Sequence, residues 1–237
     1  MRKLGFLVWL SVAPLVSGQL FIEQKSQGPR PPAELVAGFD GLGVGFTGPQ
    51  GPSTGRNPSD NSIAVGPNHV VEIVNSRMAV YSKKGAIFPA TGKVLYGASP
   101  TNTIFKGFGG RCEAQNNGDA VVRYDQLADR WLYVMPLFRR DPTNTVDPYS
   151  MCYAVSTGAD PLGPYHRYEF KRKLFPDYPR PAVWPDGYYN ATSTGDDVIQ
   201  KHICVADRNK MLQGLPATEQ CLIIDGEIGR ASCRERV

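Results

Sequence analysis

The chain has 237 residues, with 25 glycines and 20 prolines, 41% hydrophobic and 20% charged. So much Gly and Pro excludes a helix bundle or coiled coil, and the apolar content excludes wholesale disorder. The formal net charge of +4 sits at the two ends, in Arg2 and Lys3 and in Arg230, Arg234 and Arg236 against Glu235, so the neutral body excludes a nucleic-acid footprint.

Arg2 and Lys3 precede an apolar run from Leu4 to Val16, and Val16-Ser17-Gly18 supplies small residues for cleavage. This pattern predicts a secretory signal peptide over 1–18, and the run is short of the ~20 residues a membrane span needs. The mature chain is therefore expected to be secreted or extracytoplasmic, with no membrane span after cleavage. Residues 19–59 carry Pro29, Pro31, Pro32, Pro49, Pro52 and Pro58 among glycines without periodicity, and read as an extended leader.

Three segments then superimpose. Each begins with an aspartate (Asp60, Asp119, Asp177), and each runs through a short apolar strand, a polar turn and a β-branched or aromatic strand. Third strands follow at Met78–Tyr81, Met151–Val155 and His202–Ala206. Fourth strands are expected around Thr103–Phe108, Tyr165–Phe170 and Cys221–Ile224. The aspartates recur at intervals of 59 and 58 residues. About four short strands per unit at a near-constant period is the pattern of β-propeller blades, because stacking buries both faces of each sheet. The predicted fold is all-β, a propeller-like array of about three four-stranded antiparallel blades (60–118, 119–176, 177–226). A tandem β-sandwich is the alternative.

Fewer than four blades do not close a propeller in the usual way. The expectation is a fragment of a longer protein, with a new blade due near position 235. Residues 227–237 lack strand alternation, carry an arginine cluster and resemble translated vector or adapter sequence. A non-native tail is expected there.

Of five cysteines, Cys112, Cys152, Cys204 and Cys221 lie in the repeats and Cys233 in the tail. Export permits disulfides, and four cysteines allow three connectivities. Pairing nearest neighbours gives Cys112–Cys152 and Cys204–Cys221. No C-x-x-C occurs and His69, His166 and His202 are scattered, so no metal site is predicted.

Several phrases resemble those of exported bacterial proteins built on propeller-like repeats. They are Asp60–His69, Tyr124-Asp125 with Asp129-Arg130-Trp131, Cys152–Ser156, Asp160–Tyr165, and Asp177–Pro179 with Trp184–Asp186. The resemblance spans roughly residues 38 to 226. It implies a propeller and export, and carries no activity to any residue.

The recurring Asp60, Asp119 and Asp177 admit a catalytic reading, but repeated aspartates at strand starts more often satisfy backbone N–H groups. A structural role is expected for all three. Asp125, Arg130, Trp131 and Asp186 are the weak ligand-binding candidates, a carboxylate and a cation beside aromatic rings. Asp141, Asn144 and Asp147, and the Asp196-Asp197 pair, offer oxygen donors for calcium without EF-hand spacing; no cofactor is predicted. There is no Gly-x-Ser-x-Gly elbow and no sialidase Asp-box. Gly107–Gly110 is glycine-rich but precedes no recognisable helix, and Asn190-Ala191-Thr192 is a glycosylation sequon. The expected function is a secreted or cell-surface propeller-like binding or interaction module whose ligand the sequence does not name, with carbohydrate or another extracellular protein as candidate partners. An extracellular glycan-active hydrolase or lyase is the alternative.

Overall fold

The computed structural model describes residues 28, 34–54, 59–138, 149–194 and 200–225. The expected signal peptide, most of the leader before residue 34, the oxygen-donor groups at 141–147 and 196–197, Cys233 and the tail lie outside the described residues. The chain divides into Met1–Val36 and Ala37–Val237. In the first unit Gly28 and residues 34–36 are exposed and without regular structure.

Ala37–Val237 is all-β apart from short helical turns. A two-residue hairpin, β1 (Thr47–Gly48) and β2 (Gly51–Pro52), precedes three four-stranded antiparallel sheets among the described residues. Blade 1 is β3 (Asn61–Val65), β4 (His69–Val74), β5 (Arg77–Ser82) and β6 (Val94–Pro100). Blade 2 is β7 (Val121–Asp125), β8 (Arg130–Leu137), β9 (Tyr149–Ser156) and β10 (Tyr165–Arg172). Blade 3 is β11 (Asp177–Val183), β12 (Tyr188–Ser193), β13 (Gln200–Ala206) and β14 (Glu219–Asp225). In each sheet the strands lie in sequence order. This is a propeller-like array with the predicted strand count.

One strand was misplaced from sequence. The fourth strand of blade 1 is Val94–Pro100, and Thr101–Phe105 instead forms a 3-10 turn followed by the short helix α1 (Gly110–Ala114). Thr103 to Phe108 has the β-branched and aromatic residues of a strand, whereas Val94–Pro100 carries Gly97 and Pro100, which blur the signal. The Gly107–Gly110 run thus does open a helix, of one turn only.

Why the sheets stack is legible in β8. Trp131, Tyr133 and Met135 point to one side, and Leu132 and Val134 to the other; all are buried. A strand covered on both faces must read as a nearly continuous apolar run, as this one does. The first set meets Ala64, Val71, Ile73, Met78 and Val80 of blade 1. The second, with Met151, Tyr153 and Val155, meets Tyr188, Ala206 and Met211 of blade 3. Gly66 makes room for this, since a Cβ there would lie 2.7 Å from the Trp131 ring.

The expected extended leader is partly folded. Leu42 and Phe46 cover Val70, Ala79 and Tyr81 on the outer face of blade 1. The Leu42 N–H donates to Glu72 Oε2 at 2.7 Å and the Tyr81 hydroxyl donates to the same oxygen at 3.0 Å. Among the described residues, the outer face of blade 3 carries no such cover. Ile203 and Leu222, cross-strand partners on β13 and β14, are 44% and 62% exposed.

Both predicted disulfides are present. Cys112–Cys152 ties α1 to β9, and Cys204–Cys221 links directly opposed residues of β13 and β14.

Candidate functional site

The first strands of the three blades lie side by side. Ser62 Oγ on β3 accepts the Val122 N–H at 3.1 Å, and Arg123 Nε on β7 donates to the Pro181 carbonyl on β11 at 3.0 Å. Between these strands opens a cavity of about 540 Å3. Blade 1 contributes Asp60, Ser62 and Ile63, blade 2 contributes Asp119, Val121 and Arg123, and blade 3 contributes Tyr178 and Arg180.

Asp60 and Asp119 enter their strands with φ of 40° and 55°. This left-handed region is open to aspartate more readily than to most side chains. The turn brings both carboxyls to the cavity. Asp60 Oδ2 accepts from the Asn75 side-chain amide at 2.9 Å, and Asp119 is hydrogen-bonded to Asp60. Burial, the Asp60 charge, that hydrogen bond and the charge of Asp177 push the Asp119 carboxyl up to about 6. The structure thus places Asp60 and Asp119 side by side in the cavity lining, with the charge of Asp177 near enough to act on Asp119.

The cavity lining also carries two cations. Arg123 is half-buried, its Nη1 donating to the Val122 carbonyl at 3.0 Å, and burial lowers its pKa. Arg180 lies 4.2 Å from the centre of the Tyr178 ring, and both side chains are exposed. Among the described residues, no ion pair joins either guanidinium to a carboxylate.

The four residues singled out from sequence are not brought together here. Asp125 is wholly buried between blades 2 and 3, where Arg208 Nε and Nη2 donate to it at 2.8 and 3.1 Å and the Tyr188 hydroxyl at 2.8 Å. Burial opposes its charge, yet the Arg208 and Tyr188 hydrogen bonds outweigh this and hold the carboxyl below its usual range. Trp131 is equally buried, its indole N–H donating to the Ala159 carbonyl at 2.9 Å. Arg130 Nη1 donates to the Ala128 and Asp129 carbonyls, and exposed Asp186 accepts from the Tyr189 hydroxyl. Asp125 and Trp131 are core residues, and none of the four lines the axial cavity. What could have pointed to the site is equivalence: residues at matching places on the first strand of each blade meet at the axis.

Two further groupings are accounted for. Cys204, Glu219 and Cys221 come within 4.8 Å of one another, but the two sulfurs are spent in their disulfide and Glu219 pairs with Arg172. A smaller cavity of about 270 Å3 opens between blades 1 and 2, walled by Met78, Ile104, Leu162 and Arg167.

No protein-family model and no curated protein matches the chain. Among solved structures it is similar to the exo-beta-1,3-galactanase of Phanerochaete chrysosporium bound to galactose, at 13% identity and a TM-score of 0.43. Two substituted forms of that enzyme with beta-1,3-galactotriose match at 12% identity and a TM-score of 0.45. Each match covers 78% of this chain and 42% of the other, so the chain spans less than half the length of that enzyme.

Proposed function

We propose that the axial cavity binds carbohydrate and that the protein is an exported recognition module. The observation that carries this reading is the lining itself. Carboxyls from Asp60 and Asp119, the Ser62 hydroxyl and the Tyr178 ring converge from three blades on one open cavity. Carboxylates accept sugar hydroxyls in charge-assisted hydrogen bonds, and an aromatic ring offers a flat apolar face to a sugar's C–H groups. Two disulfides in so short a span support an oxidising, extracytoplasmic compartment. The test is a glycan array followed by calorimetry on the wild type, Asp119→Asn and Tyr178→Ala. Binding of one glycan class, weakened about tenfold or more in both variants, is the expected result. Equal binding by all three proteins overturns the reading.

A second reading, glycoside cleavage, is favoured by the placing of the Asp60 and Asp119 carboxyls together in the cavity, where burial and neighbouring charges push Asp119 up to about 6. A carboxylic acid raised in this way serves as general acid to a departing sugar oxygen, and Asp60 and Asp177 are the carboxylates beside it. Reducing-end release lost in Asp119→Asn, with glycan binding still measurable, would support this. A wild type that binds a glycan but never cleaves it returns the site to recognition alone.

A further inference from the structure

We propose that the sugar bound in the axial cavity is acidic, a uronic-acid-containing oligosaccharide whose carboxylate is held by Arg123 and Arg180. This rests on the carbohydrate reading of the same cavity. The argument begins with Arg123. Its guanidinium is partly withdrawn from water at the junction of β7 and β11, and its identified partners are the neutral carbonyls of Val122 and Pro181. Withdrawing a cation from water is costly unless an anion compensates it. Acids are available in the same cavity, yet none pairs with this group among the described residues.

The geometry explains why. Asp119 and Asp60 stand before the first residues of β7 and β3, while Arg123 lies four residues on from Asp119. At roughly 3.3 Å per strand residue, the two positions are at most about 13 Å apart along the chain. The acids are occupied with each other and with Asn75. The cavity is therefore two-sided, with carboxyls toward the strand starts and guanidinium groups farther along β7 and β11.

The arginines also leave donors free. Arg123 has Nε fixed to the Pro181 carbonyl and Nη1 to the Val122 carbonyl, which sets its plane and leaves the Nη2 hydrogens. Arg180 is laid over Tyr178 at 4.2 Å, an arrangement that fixes a guanidinium without consuming its N–H groups. Such planar forks match a carboxylate. The Asp60 carboxylate is already engaged by the Asn75 side-chain amide, which leaves the guanidinium groups as the cavity's unneutralised charges for an incoming anion. A uronic acid satisfies both sides at once: its hydroxyls reach the acids and its carboxylate reaches the arginines.

The test compares uronic-acid oligosaccharides with the same oligosaccharides after reduction of their carboxyl groups, which differ at that one group. Calorimetry on the wild type should show the acidic form binding about tenfold or more tightly, with the preference falling as salt rises. Arg123→Gln and Arg180→Gln should each bring the two forms to within about threefold of one another. Arg180 is exposed, so its variant keeps the test open if Arg123→Gln does not fold. Equal binding of both forms by the wild type overturns the inference while leaving the carbohydrate reading standing. No binding of either form, with no hit on a wider array, overturns both.

Discussion

Arg208 grips Asp125 across the boundary between blades 2 and 3, with two hydrogen bonds of 2.8 and 3.1 Å to a carboxylate that water does not reach. The pair exists because Asp207 caps the short helix α2 (Arg208–Leu212) through the Lys210 N–H, which sets Arg208 at the start of that helix. Removing one member strands the other charge in the interior. Asp125→Asn or Arg208→Met alone should therefore cost about 3–5 kcal/mol, measured by urea denaturation. The double variant should lose less than the sum of the two, and strict additivity would show that the groups do not interact.

Below the pH at which Asp119 ionises, the native state keeps a proton that the unfolded chain gives up near its ordinary value of 3.8. A carboxyl raised to about 6 makes the native state bind more protons between those limits. Its contribution is thus fully present below about pH 4 and is lost as pH rises through 6. Asp119→Asn should flatten the stability profile over that window. An unchanged profile would mean that the carboxyl titrates normally.

The disulfides differ in access. Cys112, Cys152 and Cys204 are buried, whereas Cys221 on the edge strand β14 is exposed. Mild reductant followed by alkylation and mass spectrometry should label Cys204 and Cys221 first. Loss of Cys112–Cys152, which closes a separation of 40 residues, should cost about 2–5 kcal/mol. Labelling in the opposite order would contradict the burial pattern.

The sequon at Asn190 should remain bare in a glycosylating host. Asn190 is 1% exposed and its amide donates to the Tyr153 hydroxyl at 3.1 Å between blades 2 and 3. A glycan there could not coexist with that interface. A mass shift removed by a glycosidase, on natively folded protein, would refute this placement.

Much of the array was legible because its cause is local. The strand rhythm shows in short apolar or aromatic runs separated by polar turns, as in Val121–Asp125 followed by Arg130–Leu137. So does the two-sided burial of β8. The disulfide pairing followed from short separations. The axial site was hidden for the opposite reason. Asp60 and Asp119 are far apart along the chain, and they share a cavity because the first strands of the blades lie side by side. Asp125 and Trp131 misled because a buried ion pair and a buried indole use the same residue types as a ligand site. The partner that decides the matter, Arg208, lies 83 residues away.

Leu42 and Phe46 seal the outside of the first sheet, whereas Ile203 and Leu222 meet water on the outside of the last. The stack consequently has a direction. Among the described residues, the outer face of the first sheet is covered by the segment that precedes the β1–β2 hairpin, and that of the last sheet presents apolar side chains to water. Self-association through Ile203 and Leu222 would follow from that asymmetry, and a charged residue placed at Leu222 should suppress it.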